Sequence, residues 1–230
     1  MDYDLSWVEA VIFDLDGTLI NSAPDVRLSL NYALSFYSNQ AITIDDDIYE
    51  LIGHGVRVMF ERACAKIGIY LTNLELQDAI HIYLEYYQAN PIVGTYLYPH
   101  VVELLCKLEN AGIRMGICTN KPSVMTNLIL DKLHLKHFFE VISSGDEVKN
   151  PKPHGDHLFD ILKQLHIDAN HAVMIGDSDV DKVAAENAGI PFIGVRYGYA
   201  GMQFTSQYMI SNLFELLGGI NSIRRYKSIT

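Results

Sequence analysis

Short apolar, β-rich runs that end in Gly, Asp, Asn or Ser recur along the chain: 8–17 (VEAVIFDLDG), 113–120 (IRMGICTN), 139–146 (FEVISSGD), 171–178 (HAVMIGDS) and 191–198 (PFIGVRYG). Runs of this length with little polar alternation predict strands buried on both faces, as in a parallel sheet. Between them apolar positions recur at helical spacing, in 101–112, where Gly112 is a stop signal, and in 123–135. Strand alternating with helix predicts an open, doubly wound α/β sheet. Residues 21 to about 94 break the alternation, because the stretches 23–37, 48–68 and 73–90 are helical in pattern and no strand of similar quality interrupts them. A helical insertion after the first strand follows. No internal repeat or low-complexity segment is present, and residues 220–230 are expected to fray as a tail.

Composition narrows the picture. A length of 230 residues suits one enlarged domain or a core with a smaller insertion, and 49% hydrophobic with 20% charged residues is ordinary globular usage. The 28 acidic against 17 basic side chains give a formal charge of -11, and no Lys/Arg run exists to track a phosphate backbone, so nucleic acid is not an expected partner. A phosphate site on such a chain must reverse the potential locally with a cation and a placed Lys or Arg. Cys64, Cys106 and Cys118 are odd in number, widely spaced and apolar in context, which predicts reduced thiols. The acidic start MDYDLSWVEA resembles no signal peptide, and no apolar stretch approaches the roughly 18 residues of a membrane span. The expectation is a cytoplasmic chain without membrane contact.

Four motifs carry candidate chemistry, each at or just beyond a predicted strand end. In Asp14-Leu15-Asp16-Gly17-Thr18, extended backbone sends the side chains of Asp14 and Asp16 to one side, and Gly17 allows a sharp exit. A solvated polar turn is the bland alternative, but an acid inside the apolar run VIFDL costs too much to be idle. In Gly176-Asp177-Ser178-Asp179-Val180-Asp181, Asp177 leaves a strand and Asp181 lies one turn into a helix, places suited to a metal ligand and a supporting acid; an acidic first turn that complements the helix dipole would look alike. Thr119-Asn120-Lys121 offers a hydroxyl and backbone N–H groups as a small anion cradle, although a plain N-cap has the same appearance. Asn150-Pro151-Lys152-Pro153 holds a lysine between two prolines, which limits the disorder lost on gripping a phosphoryl group. Lys149 reads as solvated. In an open α/β sheet ligands collect at the carboxyl ends of the strands, so these motifs can meet in one crevice. Together they contain a nucleophile, an acid/base, a hard-metal site, a hydroxyl and a lysine, the parts that phosphoryl transfer needs.

With DLDGT, TNK, NPKP and GDSDVD in that order, the chain is identified as a member of the haloacid dehalogenase superfamily, and DLDGTLINSAPDV, YPHVVELL, CTNKP, NPKPHGD, GDSDVDKVAAENAGI and IGHGVRVMFERA are similar to the bacterial phosphoglycolate phosphatases. The resemblance implies a Rossmann-like core formed by 1–20 and 95–230, with 21–94 as a helical cap. It also implies that Asp14 attacks phosphorus, that Asp16 protonates the leaving alkoxide and then deprotonates water, and that Mg²⁺ is held by the Asp14 carboxylate, the Asp16 carbonyl and Asp177, with Asp181 in support. Thr119, Asn120 and Lys152 would hold phosphoryl oxygens. The substrate it points to is a small phosphorylated metabolite, 2-phosphoglycolate first, met by a monomer or homodimer. In the insertion, Gly53-His54-Gly55-Val56-Arg57 pairs glycines that admit a ligand to the backbone with an arginine able to fork a carboxylate, so Gly55 and Arg57 are candidate substrate contacts; a plain helix junction with Arg57 in solvent is the alternative.

Other readings are weaker. His154 and His157 share a helical spacing, but no third ligand stands near for a zinc. Tyr83, Tyr86 and Tyr87 are expected to pack the insertion. A phosphomutase lacks a cap cluster for a bisphosphate, a dehalogenase has no use for Asp16, a phosphonate hydrolase needs a cap lysine beyond the ordinary Lys66, and a phospho-receiver module needs neither Asp16 nor a cap.

Overall fold

The computed structural model describes residues 7–43 and 48–216, so the first six residues and the 220–230 tail lie outside the described residues. Strand β1 (Ala10–Phe13) is followed by a two-residue strand β2 (Ile20–Asn21) and helix α1 (Ala23–Leu34). Two more helices, α2 (Val56–Lys66) and α3 (Asn73–Ala89), lead to β3 (Tyr96–Leu97). The rest alternates: α4 (Val101–Asn110), β4 (Arg114–Cys118), α5 (Ser123–Lys132), β5 (Val141–Ser143), α6 (Asp156–Leu165), β6 (Ala172–Gly176), α7 (Asp179–Ala188), β7 (Phe192–Val195) and β8 (Met209–Ile210).

Six strands form one parallel sheet in the order β5-β4-β1-β6-β7-β8. The chain runs outward from β1 through β4 to β5, then crosses back to β6 on the other side of β1. β1 therefore stands where the winding reverses, the place where such sheets open a crevice at their carboxyl ends. All four residues of β1 are buried, as expected for a central strand with covered faces. Period two divides them: Val11 and Phe13 pack into the larger core beside Leu104, Leu108 and Ile129 of α4 and α5, whereas Ala10 and Ile12 meet Leu158 and Ile161 of α6 and Ala184 and Ala185 of α7. Each large side chain so buried contributes roughly 1.5–3 kcal/mol.

The insertion is helical as the sequence predicts, with one correction. The pattern 48–68 does not form one helix, because Gly53 and Gly55 have φ of 103° and 88°, and α2 begins only at Val56. Its residues Met59, Phe60, Ala63 and Cys64 are buried. α3 begins with a reciprocal cap, in which the Glu75 N–H donates to Thr72 Oγ1 and the Thr72 N–H donates to Glu75. At the root of the insertion β2 pairs antiparallel with β3, and the buried carboxylate of Asp25 accepts from the N–H groups of Gly94 and Thr95 at 2.7 and 2.8 Å and from Thr95 Oγ1 at 2.6 Å. Among the described residues no helix is long and apolar enough to cross a membrane, and all three cysteines are free.

Candidate active site

The sheet delivers three acids to one place. Asp14 continues the line of β1, its N–H donating to the Ile175 carbonyl of β6 at 2.9 Å, so the apolar run that buries β1 also carries the carboxylate to the strand end. Gly17 then turns the chain with φ of 85°. β6 ends at Gly176 and presents Asp177. Ser178 caps α7, and its N–H and Oγ donate to Asp181 Oδ2 at 3.1 and 2.6 Å, which turns Asp181 back toward the strand end. The ammonium of Lys152, fixed beside the cis peptide to Pro153, donates to Asp14 Oδ1 at 2.8 Å, Asp181 Oδ1 at 2.6 Å and the Cys118 carbonyl of β4 at 2.7 Å. All three of its protons are used.

Oxygens of Asp14, Asp177 and Asp181 lie within 4.8 Å of one another, and all three residues are buried. Burial pushes the Asp14 carboxyl up to about 7, against the pull of Lys152 and with the push of Asp181 and Asp16. Burial likewise drives Asp177 well above the usual carboxylate range, helped by Asp181 and Asp14 and opposed by the Tyr199 N–H. Burial alone would lower Lys152, but Asp14 and Asp181 more than offset it and raise its proton affinity. Ionised together, three carboxylates against one ammonium would leave two negative charges in a desolvated site, a surplus that a divalent cation would neutralise. The donor set is all oxygen, which suits a hard ion and not zinc. The space around Asp177 is cut to size: a Cβ on Gly17 or on Gly198 would collide with its side chain. Tyr199 N–H donates to Asp177 Oδ2 at 2.6 Å.

The haloacid dehalogenase-like hydrolase model matches residues 11–195, from β1 to the end of β7. The chain belongs to that family. Within it, a phosphoglycolate phosphatase of Colwellia psychrerythraea is 39% identical over 203 residues, covering 87% of this chain and 89% of the relative. One of Agrobacterium fabrum is 36% identical over 188 residues, covering 82% and 80%. The crystal structure of a predicted phosphoglycolate phosphatase from Haemophilus somnus superposes with a TM-score of 0.84 at 29% identity, over 92% of this chain and 97% of that one.

In this haloacid dehalogenase-like hydrolase the acids open onto a cavity of about 600 Å³ walled by the core on one side and by the insertion on the other. Asp14, Asp16, Asp177, Asp181, Asn120, Lys152 and Gly55 all line it. Thr119 is buried at the end of β4 and its Oγ1 accepts from the Lys121 N–H at 3.1 Å. Asn120 does not offer its amide protons to the cavity: they go to the Gly53 carbonyl at 3.0 Å and the Lys152 carbonyl at 2.9 Å.

Arg57 is not brought to the cavity. Its guanidinium donates to Asn73 at 2.9 Å and pairs with Glu61 at 3.1 Å on a half-exposed face of α2. The reason is helical phase: the buried positions 59, 60, 63 and 64 turn 57 and 61 outward together. His157 faces Ser143 inside the core, Oγ to Nδ1 2.8 Å, while His154 lies ahead of α6, so the two share no helical face.

Three residues without an assigned role stand near the acids. Ser22 Oγ donates to Asp16 Oδ1, Lys121 Nζ lies 3.1 Å from each Asp16 oxygen, and the Ser22 N–H donates to Tyr199 Oη at 2.9 Å. Lys121 stands in a recognised motif, and its place two residues beyond Thr119 is a usable signal. Its partner lies 105 residues away, and no local pattern announces that pair.

Proposed function

We propose that this chain is a Mg²⁺-dependent phosphatase that hydrolyses 2-phosphoglycolate to glycolate and phosphate through an aspartyl-phosphate on Asp14. The observation that carries this reading is the strand-end cluster of Asp14, Asp177 and Asp181 around Lys152, in a chain 39% identical to a phosphoglycolate phosphatase. The Asp14 and Asp177 carboxylates and the Asp16 carbonyl would hold the ion, with Asp181 fixed by Ser178 and Lys152 in support. When bound, Mg²⁺ supplies positive charge against the phosphoryl oxygens.

Asp14 attacks phosphorus with a carboxylate oxygen as the bond to the ester oxygen breaks, and the protonated carboxyl of Asp16 gives its proton to the departing alkoxide. Water then attacks phosphorus, Asp16 takes its proton, and the bond from Asp14 to phosphorus breaks with release of phosphate. Lys152 and the Thr119 hydroxyl hold phosphoryl oxygens; for Asn120 the backbone N–H remains for that task. We read 1–20 with 95–230 as the catalytic core and 21–94 as a cap, supported by the cavity between them and by the β2–β3 pair at the root. A cytoplasmic location accords with the free thiols.

Phosphate release should be measured with and without Mg²⁺ on phosphoglycolate, sugar phosphates, nucleotides and pyrophosphate. Phosphoglycolate is expected to give the highest kcat/KM, and Asp14→Asn to release nothing. Undiminished turnover by that variant ends the covalent mechanism, and preference for another ester ends the substrate assignment.

A further inference from the structure

With Arg57 turned outward, the group that recognises the rest of the substrate must be sought within the cavity. Six acids line it: Asp14, Asp16, Glu50, Asp177, Asp179 and Asp181. Against them stand Lys152, His54 and Lys121. Lys152 is committed to Asp14, Asp181 and the phosphoryl group. The His54 ring lies 3.3 Å from the Arg62 guanidinium, and burial together with Arg62 holds it away from its charged form. Lys121 is thus the cation that the described walls leave for a second anionic group of a ligand.

Its setting is that of a held group. The Lys121 N–H is bound to Thr119 Oγ1, its carbonyl accepts from the Gly145 N–H at 3.1 Å, and its ammonium sits 5.0 Å above the centre of the Tyr87 ring. Tyr87 and Tyr83, which the sequence assigns to packing within the insertion, are buried there, and Tyr83 also lines the cavity. A desolvated ammonium over an aromatic face loses little conformational freedom when it takes an anion. In the structure it grips both oxygens of Asp16, while Ser22 holds Oδ1 alone.

We propose that Lys121 is the receptor for the carboxylate of the substrate, which takes the ammonium in exchange for Asp16. This rests on the phosphatase reading above. As long as Lys121 spans both Asp16 oxygens, neither is free to face a leaving group. A substrate carboxylate that draws the ammonium away frees Asp16 Oδ2 to take up from water the proton that it then gives to the leaving group, whereas Oδ1 stays on Ser22. An ester without a second anion binds through its phosphate but leaves Asp16 engaged, so discrimination is expressed in both KM and kcat.

The test compares 2-phosphoglycolate with 2-hydroxyethyl phosphate, in which a neutral hydroxymethyl group replaces the carboxylate, in wild type, Lys121→Gln and Lys121→Arg. Wild type is expected to favour phosphoglycolate by roughly 10- to 100-fold in kcat/KM, the span of one charged hydrogen-bonded contact. Lys121→Gln should bring the ratio to about 1, and Lys121→Arg should restore most of it. Glycolate should inhibit the wild type competitively, and this inhibition should vanish in Lys121→Gln. An unchanged ratio in Lys121→Gln, however much both rates fall, overturns the proposal. If that variant does not fold, a wild type that shows no preference and no glycolate inhibition overturns it equally. Should neither ester be hydrolysed, the phosphoglycolate reading falls and this assignment with it; hydrolysis of both without discrimination removes only the role of Lys121.

Discussion

The side-chain amide of Asn120 reaches from the end of β4 to the Gly53 carbonyl of the insertion at 3.0 Å, and with its other proton to the Lys152 carbonyl at 2.9 Å. One core residue thereby ties the insertion to the loop that carries Lys152. Asn120→Ala is expected to raise amide exchange around Gly53–Gly55 and to lower kcat/KM about 10-fold, the worth of one to two hydrogen bonds. Exchange and activity both at wild-type level would show that the tie carries no free energy.

Metal removal should destabilise the chain in a pH-dependent manner. Asp14 is held up near 7, above its unfolded value near 3.8, so without metal the folded state keeps a proton that the unfolded state gives up, and stability falls as pH rises from about 4 through 7. A cation that needs the ionised ligands reverses this. The gain in Tm on adding Mg²⁺ should therefore be larger at pH 8 than at pH 5. An equal gain at both would show that the ion binds elsewhere.

His157 supplies an opposite, metal-independent slope. Burial, then the charge of Lys152, lower its pKa to about 4, beneath the usual His value near 6.5. Its contribution is whole above pH 6.5 and is lost as pH falls toward 4, a span of roughly 2–3 kcal/mol. Relative to wild type, His157→Asn should lose less stability between pH 7.5 and 5, read from urea midpoints. Parallel pH profiles would place the acid sensitivity elsewhere.

Gly198 lies against Asp177, and a Cβ there would run into that side chain and into the Gly17 carbonyl. Gly198→Ala should raise the Mg²⁺ concentration needed for half-maximal activity by at least about 10-fold, because Asp177 must shift from its place. An unaltered metal requirement would mean that the loop yields freely.

Arg57→Ala is expected to alter kcat/KM by less than about 3-fold and stability by less than about 1 kcal/mol, as befits an exposed i,i+4 pair with Glu61. A large rise in KM for phosphoglycolate, with other esters unaffected, would return Arg57 to the substrate.

The strand ends were the legible part of the chain. Phe13-Asp14 and Gly176-Asp177 mark the point where a fully apolar run meets an acid, and that boundary is local, so residue order alone locates it. The two-residue strands β2, β3 and β8 carry no pattern long enough to read. Of the two readings open for Arg57, the phase of Met59, Phe60, Ala63 and Cys64 selects the solvent-facing one, because the Gly53–Gly55 motif ends where the helix begins. Asp16, Lys121, Asn120 and Gly53 each stand in a legible motif, but the pairing of Lys121 with Asp16 and of Asn120 with Gly53 is a product of how distant segments meet.

Seen from the sheet, the insertion amounts to a hairpin. The chain leaves at Ile20–Asn21 and returns at Tyr96–Leu97 side by side, with the Asp25 carboxylate pinning Gly94 and Thr95 next to the point of departure. What lies beyond the clasp of Asp25 on Gly94 and Thr95 can be exchanged, lengthened or shortened without changing the distance the core must bridge. The root is thus a socket, in which the same phosphoryl-transfer strands can carry a different selector and so act on a different ester.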